Sequence, residues 1–227
     1  MIGARGMLLS VRAGRVARHG TPCAADPLER EWTSAFYKDA VEGPRHVGRE
    51  GLDGDEQRDK GRGHGGPHAA LLAYAAAHYP KWRVELGEPA MDFGGFGENL
   101  DVDGFDETTV CIGDTFEIGD CVVQVASPRG PCNNISRRWK RPDMVNRVTD
   151  TGRTGWYLRV LKEGSVAAGQ SVTLTARTLP EWTVARIFRL RVDPDGDMAG
   201  LEAAAALELL TPDWRQWFAK RVTERAS

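Results

Sequence analysis

The residues of this chain with the clearest capacity for chemistry lie in a short proline-rich loop. Residues 127–132 read Ser-Pro-Arg-Gly-Pro-Cys and follow a valine-rich run that is typical of a buried strand. Pro128 and Pro131 withhold two backbone donors, so the strand must end there. The loop then presents Arg129 and Cys132 together at a strand end. A neighbouring cation makes a thiol a better nucleophile or metal ligand, although a cysteine after a strand is more often a small buried side chain.

Two glycine-containing loops carry further residues that suit a polar or anionic ligand. The first contains Lys60, Arg62 and His64-Gly65-Gly66 ahead of a predicted helix, where glycine amides can approach an anion. The second offers Glu98 and Asn99 as hydrogen-bond partners for a heterocycle or a water molecule. Each loop taken alone is also compatible with an ordinary turn. The three loops together predict a site for an anionic ligand.

Several familiar site patterns do not fit this sequence. The acidic run at 193–197 has Gly196 between its last two acids and Ala204 where a calcium loop needs a bidentate glutamate. His64 and His68 have a helical zinc spacing, but the glycines and proline between them argue against a shared helical face. The glycine-rich loop at 94–97 is not a dinucleotide fingerprint, and no phosphate-binding P-loop is present. A hydrolase in which Cys132 and His64 form a catalytic dyad is an alternative that the sequence does not exclude, but no motif supports it.

The elements that must position these loops are mostly short strands. Runs of β-branched residues with turn dipeptides between them predict a barrel or sandwich, and a helix is predicted from residue 68 to Pro80. Thr183 can cap a helix, and Thr211-Pro212-Asp213 is a strong helix start. We therefore expect a mainly β domain over residues 7–180 and a three-helix module over 181–227. The predicted strands are 7–16, 33–38, 46–47, 108–112, 115–118, 121–125, 154–161 and 171–176, and short helices are predicted at 81–86, 144–148 and 201–210.

Composition excludes several classes of function. The chain has 227 residues, of which 41% are hydrophobic and 27% are charged, as in ordinary globular proteins. Its formal net charge of −2 gives no basic field to drive binding of nucleic acid. No apolar run reaches the ~20 residues that span a bilayer, and the segment after Met7 is too short and too charged for a signal-peptide core. Four cysteines without a Cys-x-x-Cys pair predict a reduced, cytoplasmic protein, although a bridge between Cys111 and Cys121 is conceivable.

The order and spacing of the motifs resemble the signature of the MOSC family, the domain that also forms the C-terminal part of molybdenum cofactor sulfurases. The resemblance covers nearly the whole chain, because the helical tail is similar to the three-helix extension of the YiiM-like branch. The matching segments are Gly51-Leu52-x-Gly54-Asp55-x-Gln57, His64-Gly65-Gly66-Pro67, Phe96-Gly97-Glu98-Asn99-Leu100, Gly113-Asp114 and Ser127-Pro128-Arg129-x-Pro131-Cys132.

The resemblance implies a MOSC-type β-barrel with short helices that binds the molybdenum cofactor. The family cysteine that binds the metal corresponds to Cys132, and a soft thiolate suits molybdenum that is already held by the dithiolene sulfurs of the pterin. Arg129 is then expected to keep the thiol ionised or to hold the cofactor phosphate. The remaining expected cofactor or substrate contacts are Lys38, Arg62, His64, Gly65, Gly66, Glu98, Asn99 and Ser127.

The same resemblance implies an oxidoreductase that reduces N-hydroxylated small molecules, such as hydroxylaminopurines or amidoximes, with Glu98 as a candidate proton donor. The sequence has no flavin, haem or iron–sulfur motif. Electrons are therefore expected from an external flavin- or NAD(P)H-dependent reductase, with no nucleic-acid or membrane partner; a homodimer is left open. Two other hypotheses remain. Cys132 carries sulfur or the cofactor for delivery to another protein, or it is a structural residue of a binding module.

Overall fold

The computed structural model describes residues 2–58 and 65–226. Its strands are β1 (Arg5–Ala13), β2 (Ala17–His19), β3 (Trp32–Ser34), β4 (Asp39–Ala40), β5 (Arg45–Gly48), β6 (Gly51–Leu52), β7 (Leu71–Ala75), β8 (Leu100–Asp103), β9 (Thr115–Ile118), β10 (Cys121–Pro128), β11 (Trp156–Lys162), β12 (Gly164–Val166) and β13 (Ser171–Ala176). Its helices are α1 (His78–Leu86), α2 (Asn133–Trp139), α3 (Met144–Thr151), α4 (Val184–Val192), α5 (Met198–Ala205) and α6 (Pro212–Ala226).

Seven strands form a closed β-barrel within the described residues. Their order is β13-β9-β10-β11-β7-β8-β1, and β1 pairs with β13 to close the sheet. The pairs are antiparallel except β7 with β8, which run parallel. β4 adds to the outer part of β1, while β12-β5-β6 and β2-β3 form small separate sheets. The predicted mainly β fold with short helices is confirmed.

The predicted helix that starts at residue 68 is wrong. Leu71–Ala75 is a strand, β7, that lies between β11 and β8, and all five of its residues are buried. A strand that is buried on both faces is a continuous apolar run without alternation, and periodicity cannot distinguish it from a buried helix. The helix begins later, at His78, and contains Pro80 in its first turn, where an N–H group has no helical partner.

The predicted strand at 108–112 is also wrong. The Asp106 side chain accepts hydrogen bonds from the backbone N–H of Thr108 and Thr109, which holds a turn there. Only an isolated bridge joins Cys111 to Thr183. The β-branched residues of this segment therefore belong to a turn that contacts the start of α4, where the backbone N–H of Val184 donates to the carbonyl oxygen of Val110 at 2.9 Å.

The C-terminal helices pack directly on the barrel. Thr183 caps α4, as predicted, by accepting from the backbone N–H of Arg186. Val125 and Trp156 of the barrel belong to the same buried apolar cluster as Phe218 of α6. Among the described residues, no helix is both long enough and apolar enough to cross a membrane.

The boundary at residue 180, between the β domain and the three-helix module, stays a prediction.

A second, mainly aromatic cluster lies beside the first. It contains Tyr74 and Phe96, whose rings stack at 4.5 Å, and it extends to Ile135 of α2. This cluster supports the loop that follows α1 and the helix that follows Cys132. It therefore supports the predicted site loop around Glu98 and Asn99, and the helix that begins directly after Cys132.

Candidate active site

Cys132 lies between the end of β10 and the start of α2. It occupies the N-cap position of α2, with extended backbone angles of φ −132° and ψ 163°, but its side chain makes no capping hydrogen bond. Its carbonyl oxygen accepts from the backbone N–H of Ile135 at 3.1 Å. Its thiol is free and the residue is partly exposed. The strand end and the helix start thus hold the backbone of Cys132 at both sides while its side chain is accessible.

Two cavities meet at Cys132. One has a volume of about 130 Å³ and is also lined by Lys38, Asn99 and Arg129. The other, of about 750 Å³, lies between the barrel and the C-terminal helices. Cys132, Ala69 and Tyr157 line both. A ligand that spans both cavities would therefore pass the thiol.

Arg129 supplies a buried guanidinium to the smaller cavity. Its backbone N–H donates to the carbonyl oxygen of Gly155 at 3.0 Å, and its Nη2 donates to the carbonyl oxygen of Phe96 at 3.3 Å. Its Nη1 is buried and has no hydrogen-bond partner among the residues that the structure describes. A buried guanidinium with an unused donor fits a phosphate or another anion.

Tyr157 is a site residue that sequence reasoning missed. It pairs with Ser127 where the β10–β11 register shifts, so its side chain reaches the two cavities. Burial raises the pKa of its hydroxyl; Arg129 opposes that rise and Cys132 adds to it. The sequence signal for Tyr157 was its place in the next predicted strand after the proline-rich loop. Only the register between β10 and β11 shows that this tyrosine lines the same cavities as Cys132.

Lys38 and Asn99 meet at Asp55, a residue of the matching Gly51–Gln57 motif for which the sequence suggested no role. Lys38 and Asp55 form an ion pair whose side chains are 8% and 3% exposed. Asp55 Oδ2 also accepts from Asn99 Nδ2 at 2.9 Å, and its Oδ1 accepts from the backbone N–H of Gly14 at 2.8 Å. Burial lowers the pKa of Lys38 although Asp55 opposes this. Both predicted residues line the smaller cavity, but their polar groups are already engaged within the protein.

Glu98 lies outside both cavities. It is fully buried, and its carboxylate accepts from the hydroxyl of Tyr79 and from the backbone N–H groups of Gly94 and Phe96. Burial and the Glu98 carboxylate raise the pKa of the neighbouring Asp101 far above its usual range. Glu98 therefore holds the glycine-rich loop in shape, and its position does not favour the role of a proton donor to a substrate.

The first glycine-containing loop is described only in part. Lys60, Arg62 and His64 lie outside the described residues. Gly65 and Gly66 line the larger cavity, as does the buried Ser127. The backbone N–H of Gly66 donates to Gln57 Oε1 at 2.9 Å, so this amide is not free for an anion.

The donor set at Cys132 suits a metal that brings most of its own ligands. Within residues 2–58 and 65–226, no group of three or more His, Cys, Asp or Glu side chains is arranged to hold a metal ion. Burial raises the pKa of Cys111, and raises that of Cys121 to about 11, which disfavours the thiolate form of both. Cys132 is the accessible thiol of the cavities, and a single thiolate fits a cofactor-held soft metal.

Comparison with known proteins decides the family. The MOSC domain model matches residues 60–173, and the model described as "YiiM-like, 3-alpha helix domain" matches residues 182–225. The chain belongs to the MOSC domain family. The resemblance drawn from the motifs is thereby confirmed, including the helical extension of the YiiM-like branch.

Curated relatives and a solved structure agree with this family. A protein named "Reductase" from Gibberella moniliformis is 40% identical over 188 residues, which are 82% of this chain and 32% of that protein. The chain therefore spans about a third of that relative. YflK of Bacillus subtilis is 38% identical over 76% of this chain and 77% of its own length. The crystal structure of YiiM from Geobacillus stearothermophilus has a TM-score of 0.79 at 28% identity, and covers 96% of this chain and 99% of that one.

Proposed function

We propose that this MOSC protein is a molybdenum-cofactor-dependent oxidoreductase that reduces N-hydroxylated compounds, such as hydroxylaminopurines and amidoximes. Family membership and a relative named as a reductase support redox chemistry in general. The observation that carries the proposal is the accessible Cys132 thiol at the junction of two cavities, close to a buried guanidinium with a free donor.

Two residues have the chemistry to hold the cofactor. The Cys132 thiolate would bind the metal, and the unused Nη1 of Arg129 would donate to the cofactor phosphate. When bound, the cofactor supplies a metal centre that accepts an oxygen atom and is restored by two electrons. Lys38 and Asn99 line the smaller cavity, and both are joined to Asp55.

The reaction consumes two electrons and two protons for each N–O bond that breaks. The N-hydroxylated group becomes the amine or amidine, and the oxygen leaves as water. We infer that an external flavin- or NAD(P)H-dependent reductase supplies the electrons, because the sequence contains no flavin, haem or iron–sulfur motif. Cytoplasmic localisation is part of the same proposal.

The test is to purify the protein from cells that are supplied with molybdate. We expect close to one molybdenum and one pterin per chain, by elemental analysis and by fluorescence of the oxidised pterin. With a reductase and NADPH, the protein should convert a hydroxylaminopurine to the aminopurine, as followed by chromatography. Cys132→Ser should lose both metal and turnover.

The matched control is Cys23→Ser, which removes an exposed free thiol outside the two cavities. It should retain metal and turnover. Metal-free wild-type protein with a labile sulfur on Cys132 would instead support a carrier of sulfur or cofactor. Unchanged metal content and turnover in Cys132→Ser would show that the thiol neither holds the metal nor takes part in turnover.

A further inference from the structure

Two arginines of α2 lie against aromatic rings next to the smaller cavity. The guanidinium carbon of Arg137 lies 5.5 Å from the ring centroid of Trp32, and that of Arg138 lies 4.4 Å from the centroid of Tyr37. Residues 33–36, between these two rings in the chain, line the cavity. Stacking orients a guanidinium without using its N–H groups. Neither arginine forms a hydrogen bond or an ion pair in the part of the chain that the structure describes.

A third arginine lies at the same cavity. Arg58 is exposed and lines the cavity together with Cys132. Its Nη1 donates to the carbonyl oxygen of Thr33 at 2.6 Å. Since the ring under Arg137 belongs to the residue before Thr33, both cations lie against β3. We call Arg58, Arg137 and Arg138 the cationic face.

The positive charge of the cationic face exceeds the negative charge around it. Among the described residues that line the smaller cavity, only Asp55 and Glu56 carry carboxylates, and Asp55 is paired with Lys38. Helix α2 itself contains no acidic residue. An uncompensated cluster of cations favours a partner with a negatively charged surface. The acids that precede β3 are matched by cations of their own, in the pairs Glu29 with Lys140 and Glu31 with Arg18, each at 3.7 Å.

The cationic face lies close to the thiol that would hold the metal. Cys132 is the N-cap residue of α2, and Arg137 follows five positions later, about 8 Å along the helix axis. Electrons cross protein only over short distances, so a donor must contact the surface near Cys132. The larger cavity also meets Cys132 and leaves room for a substrate. The substrate and the electron donor thus have separate approaches to the same residue.

We propose that the cationic face is the docking surface of the external electron donor, and that this donor is a flavoprotein with a negatively charged face around its flavin. The inference rests on the proposed function and adds the place and the charge of the contact. Each encounter passes one electron from the reduced flavin to the metal site. Two encounters supply the two electrons for each N–O bond, and water supplies the two protons. Contacts of this transient kind are small and depend on electrostatic steering.

The test uses the molybdenum-loaded protein with photoreduced flavodoxin, an acidic FMN protein, as donor and 6-hydroxylaminopurine as substrate. At low ionic strength, the second-order rate constant for flavodoxin-driven turnover should fall at least fivefold in Arg137→Glu and in Arg58→Glu, because each change places a negative charge on the face. Raising the ionic strength from about 0.02 M to about 0.5 M should slow the wild type and remove most of this difference. Rates are expressed per bound molybdenum.

Reduced methyl viologen separates docking from catalysis. This small cationic reductant needs no docking surface, so Arg137→Glu, a change outside both cavities, should turn over with viologen at the wild-type rate or faster. The matched control is Arg189→Glu, the same charge change on the exposed face of α4 outside both cavities. It should keep the wild-type rate with both donors. Arg137→Gln, which removes the charge without reversing it, should show a smaller fall with flavodoxin.

Binding of oxidised flavodoxin gives a readout that does not depend on turnover. By calorimetry at low ionic strength, the dissociation constant should rise at least fivefold from the wild type to Arg137→Glu, and it should not change in Arg189→Glu. A DNA duplex that binds as tightly as flavodoxin, with the same dependence on Arg137, would show a nonspecific polyanion surface and overturn the docking surface.

Turnover with flavodoxin that is unchanged in Arg58→Glu and Arg137→Glu, or that falls equally with flavodoxin and viologen, would also overturn it. Absence of turnover with viologen in the wild-type protein, with flavodoxin binding that depends on Arg137, would overturn the proposed function and leave the docking surface standing. Turnover with viologen, without a salt-dependent contact with flavodoxin, would do the reverse.

Discussion

Arg129 donates from Nη2 to the carbonyl oxygen of Phe96 at 3.3 Å, which joins two loops that lie 33 positions apart in the chain. The loop at Phe96 is itself held by the buried Glu98 carboxylate. The Nη2 nitrogen is thereby committed to the scaffold, while Nη1 is buried and has no hydrogen-bond partner among the described residues. The guanidinium is positioned by the protein before any ligand arrives.

Arg129→Lys should reduce the amount of pterin that copurifies with the protein at least tenfold. Lysine keeps the positive charge but cannot bond Phe96 and an anion with one planar group. Loss of the charged hydrogen bond should also lower the free energy of unfolding by about 1.5–3 kcal/mol. Pterin fluorescence and urea unfolding measure the two effects. Arg189→Gln on the exposed face of α4 is the control, and full pterin content in Arg129→Lys would contradict the assignment.

Asp55→Asn should lower the free energy of unfolding by about 3–5 kcal/mol, because it leaves the buried Lys38 without its counter-charge. The double variant Lys38→Met/Asp55→Asn should regain part of this loss. Asp53→Asn, an exposed neighbour, should stay within about 0.5 kcal/mol of the wild type. Urea unfolding of the four proteins tests this; a double variant that is less stable than Asp55→Asn would show that the pair is not coupled.

The stability of the protein should fall as pH rises from 5 to 9, in part because of Asp101. Burial and Glu98 raise the pKa of Asp101 in the folded state, so the folded chain holds a proton that the unfolded chain releases above its ordinary pKa of about 4. The contribution to the free energy of unfolding then decreases by up to about 1.4 kcal/mol per pH unit. Asp101→Asn should have a flatter profile by urea unfolding. Parallel profiles for the two proteins would refute a buried, protonated Asp101.

Gly97→Ala should destabilise the loop that carries Asn99. Gly97 has φ +78°, a conformation that costs an L-residue about 1–2 kcal/mol, and an added Cβ would lie 2.9 Å from the Phe36 ring. We expect a loss of about 2–4 kcal/mol when steric overlap is included. Gly130→Ala is the matched control, since a Cβ added there would meet no atom within 4 Å and its φ is not positive. A similar melting temperature for both variants would rule out this steric argument.

Local residue chemistry was sufficient to predict much of this protein. The β-branched runs at 115–118 and 171–176 form the predicted strands, the cap at Thr183 forms as predicted, and Pro212 is the first residue of α6. These features depend on neighbours in the chain, so the sequence expresses them directly. The ordered motifs around Cys132 also indicated the family, which the comparisons confirmed.

Tertiary structure alone decided where the polar side chains lie. Leu71–Ala75 became a strand because it pairs with β8 and β11 at its edges, while one apolar cluster covers Leu71, Ala73 and Ala75 and the aromatic cluster covers Tyr74. Its own residues cannot reveal this condition. Glu98 turned into its own loop because its carboxylate accepts from the backbone N–H groups of Gly94 and Phe96. Tyr157 reaches the cavities at Cys132 because the β10–β11 register shifts near Ser127. Likewise, only the packing of α6 on β10 brings Asp213 to the cavity of Cys132, since contacts between distant segments arise after the chain folds.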